Sequence, residues 1–226
     1  MCITPQQPEA CWPTSLAILA WQGAPEQQKS QEKAVRFLLE HSKVLTPKLP
    51  KESVGCDTTL KGWPWTADTF SWVEPTALAM IALRATHSEN HPRAQDAVAV
   101  LMDRQLPDGG WNIGSTIVFG QALRPMPENT GMALQALCGQ VPGKDVAKSI
   151  RYLGSCLERL HTPFTLGWSL LGLSAWAEGI PNRQEMVMNV LQRQDQCGAF
   201  DTTALSVLLV AHYCERGLID LLDGKH

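Results

Sequence analysis

The chain has no run of basic residues, no Cys-x-x-Cys pair and no long apolar segment, and each absence removes a class of function. Its 19 Lys and Arg are scattered among 22 Asp and Glu, for a formal net charge of -3. Without a basic stripe there is no electrostatic footprint for nucleic acid, so no nucleic-acid partner is expected. The seven cysteines are odd in number, and several lie inside apolar helical runs, where a thiol is a small hydrophobe. They exclude a zinc ribbon and a disulfide frame, and they point to a reducing, cytoplasmic setting. The apolar run from Leu16 to Trp21 is too short for a signal core or a membrane span. The chain opens almost directly into a repeat, so sequence upstream of Met1 is an open expectation. Tyrosine is also scarce, at 2 residues, against 8 tryptophans. So much rigid apolar surface argues for aromatic-lined packing or an aromatic-lined cavity.

The pattern that is present is a repeat. Five segments begin with a turn-like cluster, then Thr, then small and apolar residues. Thr14, Thr76, Thr130, Thr165 and Thr203 mark the same phase, separated by 62, 54, 35 and 38 residues. The last two spacings are the bare repeat, and the first two carry insertions. The Thr-marked segments are apolar nearly all round and are expected to be buried helices, with Gly and Ala allowing close backbone approach. Between them run two-faced helices. Val146, Ile150, Leu153, Leu157 and Leu160 form one helical face, with Lys144, Lys148, Arg151 and Glu158 opposite. Residues 33–42, 92–105 and 181–194 repeat that pattern. Buried helices alternating with amphipathic ones predict an all-α fold of about ten helices, an inner layer wrapped by an outer one, as a single domain over residues 1–226. Strand signals are weak.

Two outer helices end in a shared signature. Gln105-Leu106-Pro107-Asp108-Gly109-Gly110-Trp111 and Gln194-Asp195-Gln196-Cys197-Gly198-Ala199-Phe200 both read Gln, a short spacer, Gly, aromatic. A degenerate third copy starts at Lys33, with Ser42 where Gln would stand. The Gly ends the helix, the Gln can satisfy free backbone groups, and the aromatic packs over it, so these residues are structural staples. In phase with the Thr-marked helices, the signature resembles the QW repeats of the squalene and hopene cyclase and prenyltransferase superfamily. That resemblance covers nearly the whole chain. It implies an α/α toroid. With about five helix pairs the ring is expected to be incomplete, closed by residues 217–222, by a second subunit or by a copy of itself.

Loop lengths break the symmetry. The long connections, residues 62–72 and 112–127, both lead from an outer helix to the next inner one. They therefore emerge where the inner helices begin, as a binding face or as a lid without a ligand. Glu74, Glu128 and Asp201 precede phase-marking threonines there. Such carboxylates can cap helix N-termini, or they can act on a ligand. In the cyclases a D-x-D-D-T motif occupies this phase, and its middle Asp protonates the alkene. Aligning Thr76 with that Thr sets Glu74 at the middle Asp, while Trp72 and Pro75 replace flanking acids. Glu128, one repeat later, is the candidate partner carboxyl. Trp12, Trp72 and Trp168 can line a cavity and stabilise a carbocation, or simply fill the core. Trp65, Phe119 and Arg124 on the long connections complete the candidate substrate-binding set. No diphosphate-binding basic cluster stands out, although Arg84, Arg93 and Arg124 could approach one another in the fold.

Prenyltransferase relatives bind zinc through a D-x-C…H arrangement. That pattern is missing here, so neither a metal nor another cofactor is expected. The resemblance implies a terpene-cyclase-like isomerase or lyase acting on, or binding, an isoprenoid or other lipid, with peripheral membrane contact compatible with such a ligand. The rival reading is a non-catalytic toroid serving as an interaction scaffold.

Overall fold

The computed structural model describes residues 10–222 and is predominantly helical, with one two-stranded hairpin. Its contacts gather into two compact units. The first runs to Gln105 and takes in Ile113–Leu123; the second comprises Leu106–Asn112 and the chain from Arg124 onward.

In the first unit, helix α1 (Cys11–Ala20) packs against α4 (Val73–Ala85), α2 (Gln28–Arg36) covers α1, and α5 (Pro92–Asp103) covers α4. A π turn over Phe37–His41 prolongs α2, and the short α3 (Lys51–Val54) sits in the first insertion. Every residue of α4 is buried except Glu74 and Arg84, as an all-round apolar sequence requires. Helix α5 turns one stripe inward, Ala94, Ala97, Val100 and Leu101. Its start is set by Pro92 in the first turn and by His91, whose Nδ1 accepts the Arg93 N–H at 3.1 Å.

The second unit contains α6 (Pro127–Leu137), α7 (Gly143–Cys156), α8 (Pro163–Ser174), α9 (Arg183–Gln192), α10 (Gln194–Cys197), α11 (Thr202–Tyr213) and α12 (Leu218–Leu222). Helix α8 lies between α6 and α11, with α7 against α6 and α8, and α9 against α8 and α11. Glycine makes this row possible. A Cβ on Gly131 would collide with the Trp168 carbonyl, and one on Gly172 would stand 2.6 Å from the Gly131 Cα. On the other side of α8, a Cβ on Gly167 would stand 3.1 Å from the Leu208 nitrogen. The backbones thus approach to a distance that only glycine permits.

Two features depart from the sequence reading. The last Thr-marked helix is not sealed: α11 buries Ala204, Leu208 and Ala211, while Leu209 is 59% exposed and Tyr213 69%. Among the described residues of its unit, no further inner helix lies beyond it. The C-terminal segment reaches α6 and the end of α8. Leu218 N–H donates to Gln135 Oε1 on α6 at 3.2 Å, and a Cβ on Gly217 would meet Ala175 just past α8. The second insertion forms a hairpin, β1 (Ile117–Val118) antiparallel to β2 (Gln121–Ala122). Its turn residues Phe119 and Gly120 both have positive φ, 49° and 74°. That geometry matches the twist of paired strands, but Phe-Gly is not a turn dipeptide that sequence patterns flag.

Candidate functional site

The outer-helix signature and the phase-marking threonines meet in one recurring backbone clamp. In the second unit, Thr130 Oγ1 accepts the Trp111 N–H at 3.0 Å and donates to the Met126 carbonyl at 2.8 Å. Gly110 N–H donates to Ser149 Oγ at 2.7 Å. In the first unit, Thr76 Oγ1 accepts the Trp63 N–H at 2.9 Å, and Gly62 N–H donates to Ser71 Oγ at 2.7 Å. Trp63 and Trp111 are both fully buried. The Gly62-Trp63 pair is therefore the first-unit counterpart of Gly110-Trp111. The sequence reading left it in a loop because the spacing to the next Thr differs, 13 residues against 19. The shared Gly-Trp dipeptide was the available signal. The Gln staple appears in the third copy, where Gln194 Oε1 accepts the Phe200 N–H at 3.2 Å.

Trp63 is held on three sides. Its Nε1 donates to the Leu38 carbonyl at 3.2 Å, and the Arg93 guanidinium stacks 3.9 Å from its ring centre. Arg93 also donates to the Lys61 and Gly62 carbonyls. Burial pushes this guanidinium below its ordinary pKa, partly opposed by Asp96. Arg93 is thus committed to the insertion backbone and the Trp63 ring. Arg84 belongs to the first unit, while Arg124 belongs to the second and is exposed.

The candidate aromatic residues fall partly together. Trp12 at the start of α1 meets Trp65 edge-on, with ring centres 5.5 Å apart. Trp72 caps the start of α4, and Gly114 of the second insertion lies against its ring, where a Cβ would come within 2.8 Å. Val73 N–H donates to the Ile113 carbonyl at 2.9 Å, which ties the two insertions together. Phe119 stands at the hairpin tip, 99% exposed. Trp168 is buried in α8 of the second unit, and its indole N–H has no hydrogen-bond partner among the described residues.

The three acids occupy helix starts. Glu74 is half-buried in the first turn of α4, and Glu128 half-buried in the first turn of α6; they belong to different units. Asp201 is the N-cap of α11, where its Oδ1 accepts the Ala204 N–H at 2.9 Å, so its placement is that of a cap. Tyr152 lies near Glu128 and donates to the Pro125 carbonyl at 2.8 Å. Its hydroxyl pKa is pushed well up, first by burial and then by Cys156 and the Glu128 charge.

The sequence reading also missed Arg183. Its guanidinium donates to the Ala211 carbonyl at 3.0 Å, the Cys214 carbonyl at 2.5 Å and Ser174 Oγ at 2.5 Å. It closes the C-terminal ends of α8 and α11, where orphan carbonyls favour a cation.

Clefts lie elsewhere in each unit. One of ≈ 390 Å³ between α1 and α2 is lined by Thr14, Ala17, Trp21 and Phe37. One of ≈ 730 Å³ beside α7 is lined by Ile150, Leu173, Trp176, Ile180 and Met186. Among the described residues, no three His, Cys, Asp or Glu side chains gather as metal ligands would, and no helix is long and apolar enough to cross a membrane. No family model matches the chain, and no curated protein matches it.

Proposed function

We propose that this chain is a toroid-type protein of the squalene cyclase and prenyltransferase kind, acting on or binding an isoprenoid or similar lipid against aromatic walls. The observation that carries the reading is the repeated clamp: Thr76 on Trp63 and Thr130 on Trp111, each at the start of an inner helix. The Gln194 bond to Phe200 adds a third copy of the staple. A toroid uses such joints to hold inner helices in a ring, and the open face of α11 is where a second subunit or another copy would close it. The setting is cytoplasmic.

The apolar walls favour a hydrocarbon ligand. Trp12 and Trp65 pair edge-on and, with Trp72 at the start of α4, offer π-faces to a cation. The unpartnered indole N–H of Trp168 is a buried donor suited to a polar ligand group. In a cyclase-type reaction Glu74 delivers its proton to a terminal alkene. The π electrons form the new C–H bond, and a tertiary carbocation remains to be attacked by the next alkene. Trp72 and Pro75 stand where flanking acids assist the donor in relatives, and this favours ligand binding over fast protonation.

Native mass spectrometry with lipid extraction tests the reading. A bound isoprenoid or lipid is expected; a protein that stays empty in lipid-containing extracts supports the scaffold reading instead. For catalysis, Glu74→Gln keeps size and hydrogen bonding while removing the acid. Unchanged turnover of an isoprenoid by that variant eliminates Glu74 as donor.

A further inference from the structure

Large exposed hydrophobic side chains are not spread evenly over this protein. Ten occur among the described residues, and six of them lie in the insertions of the first unit: Leu45, Leu49, Phe70, Ile113, Val118 and Phe119. Hydrogen bonds hold these segments together. Leu45 N–H donates to the Thr69 carbonyl at 2.9 Å, beside Phe70, and Val73 N–H donates to the Ile113 carbonyl at 2.9 Å. Leu49 N–H, just ahead of α3, donates to Thr58 Oγ1 at 3.0 Å. The hairpin is seated on α3, with Thr116 N–H donating to the Val54 carbonyl at 3.0 Å and Thr116 Oγ1 to the Gly55 carbonyl at 2.7 Å. A Cβ on Gly55 would strike Thr116 and Ile117, so the seating is close. This support carries Phe119 outward, 99% exposed and at positive φ, where Asn or Gly is favoured. Local backbone preference does not put a Phe there, so its exposure calls for an apolar partner.

The charges around this patch balance. Residues 43–72 carry Lys43, Lys48, Lys51 and Lys61 against Glu52, Asp57 and Asp68. The lysines and Glu52 are exposed, and Asp57 and Asp68 are half-buried. Such a mixture has no net attraction for a surface of one sign. A patch of one sign would also repel its own copy, whereas a mixed one can set its lysines against the copy's acids about a twofold axis. Area agrees. Phe119 offers about 200 Å², and the six side chains together offer on the order of 500 Å². Two such patches face to face, with their polar rims, reach the total of about 1,200 Å² at which specific interfaces begin.

We propose that the first-unit insertions form a twofold contact with a second copy of this chain, with Phe119 of each hairpin in the apolar centre and the lysines of one copy facing Glu52 and Asp68 of the other. This contact is separate from a ring closure at α11, which belongs to the second unit, and it does not rest on the isoprenoid reading.

Sedimentation equilibrium of the full chain tests it. The mass is expected to rise from 24.9 kDa toward twice that value over about 1–100 µM, as suits an interface near the lower size limit. Phe119→Ser should weaken dimerisation at least about tenfold at unchanged helicity, because each dimer then loses both buried rings. Phe119→Leu should restore most of it. The double reversal Lys48→Glu with Lys51→Glu makes the patch acidic and should weaken dimerisation at least about threefold, less so at high salt. Leu209→Ser, on α11, should leave the dimer intact. The proposal is overturned if the wild type stays monomeric, or if Phe119→Ser dimerises as the wild type does. An unaffected lysine variant overturns the facing of unlike charges. A dimer that Leu209→Ser dissociates and Phe119→Ser does not would move the contact to α11. A monomer that sediments with phosphatidylcholine vesicles would assign the patch to a lipid surface instead.

Discussion

Along α8 ten of twelve residues are buried, whereas α11, equally long and equally apolar, buries three. Composition does not separate the two helices. Helix α8 has an inner-helix neighbour on each side, α6 and α11, and α11 has only α8. Burial of an inner helix is therefore a property of its place in the array. Each neighbour contributes one wall, and a helix with one such wall keeps an apolar side in water. The two inner helices of the first unit differ as well. Helix α4 is sealed but for Glu74 and Arg84, while α1 leaves Leu16 39% exposed.

The sharpest way to break this comparison is to shorten one leucine on each helix. Leu170→Ala, at a fully buried position, is expected to cost about 3 kcal/mol in urea unfolding, and Leu209→Ala about 0.5 kcal/mol or less. Equal losses would mean that α11 is covered in solution, and a protein-concentration dependence of the Leu209→Ala midpoint would then identify a second copy as the cover. Gly131→Ala comes next. Its new Cβ meets the Trp168 carbonyl, which cannot swing aside, so a loss of about 2–3 kcal/mol is expected in the same measurement. Glycine 179 gives the control, since a Cβ there meets nothing within 4 Å; Gly179→Ala should leave the midpoint within about 0.5 kcal/mol.

A smaller effect sharpens the likeness between the two units. Thr76→Val and Thr130→Val each remove the acceptor of a buried Trp N–H, and each should cost about 1–2 kcal/mol. Similar values would show that the clamp is one joint used twice. A near-zero cost in one unit would end the equivalence of Trp63 and Trp111.

The smallest effect is one of pH. Burial raises the pKa of Cys56 in the first unit and of Cys214 in the second. The unfolded chain loses those thiol protons first, near the ordinary value of about 8.5. Stability from these groups is therefore complete below that pH and lost as pH rises through the raised folded values. Urea midpoints should be level from pH 7 to 8 and fall by pH 10. Thiol labelling at pH 8 should modify the exposed Cys197 well before Cys56 or Cys214.

Much of the fold was legible from periodicity. The stripe Val146, Leu153 and Leu157 reappears as the buried side of α7 and its last turn, and the Thr-marked segments are helices α1, α4, α6, α8 and α11. The site was less legible. Asp201 was read as either a cap or an acting acid and sits as an N-cap, because the same side chain at a helix start serves either role until its partner is known. Trp63 was passed over as loop, since the insertion after it hid its spacing. Arg183 gave no sequence signal, because the carbonyls it closes, those of Ala211 and Cys214, lie 28 and 31 residues away.

What the chain alone determined is the set of local choices: which segments are helical, which side of each is apolar, and where glycine lets backbones touch. Those follow from spacing within a few residues, at 3.6 per turn. Only the tertiary structure decided that Trp63 and Trp111 are equivalent, that α8 is sealed and α11 open, and that Phe119 stands in water. Each of these depends on which distant segment comes to lie alongside, and no local period encodes that.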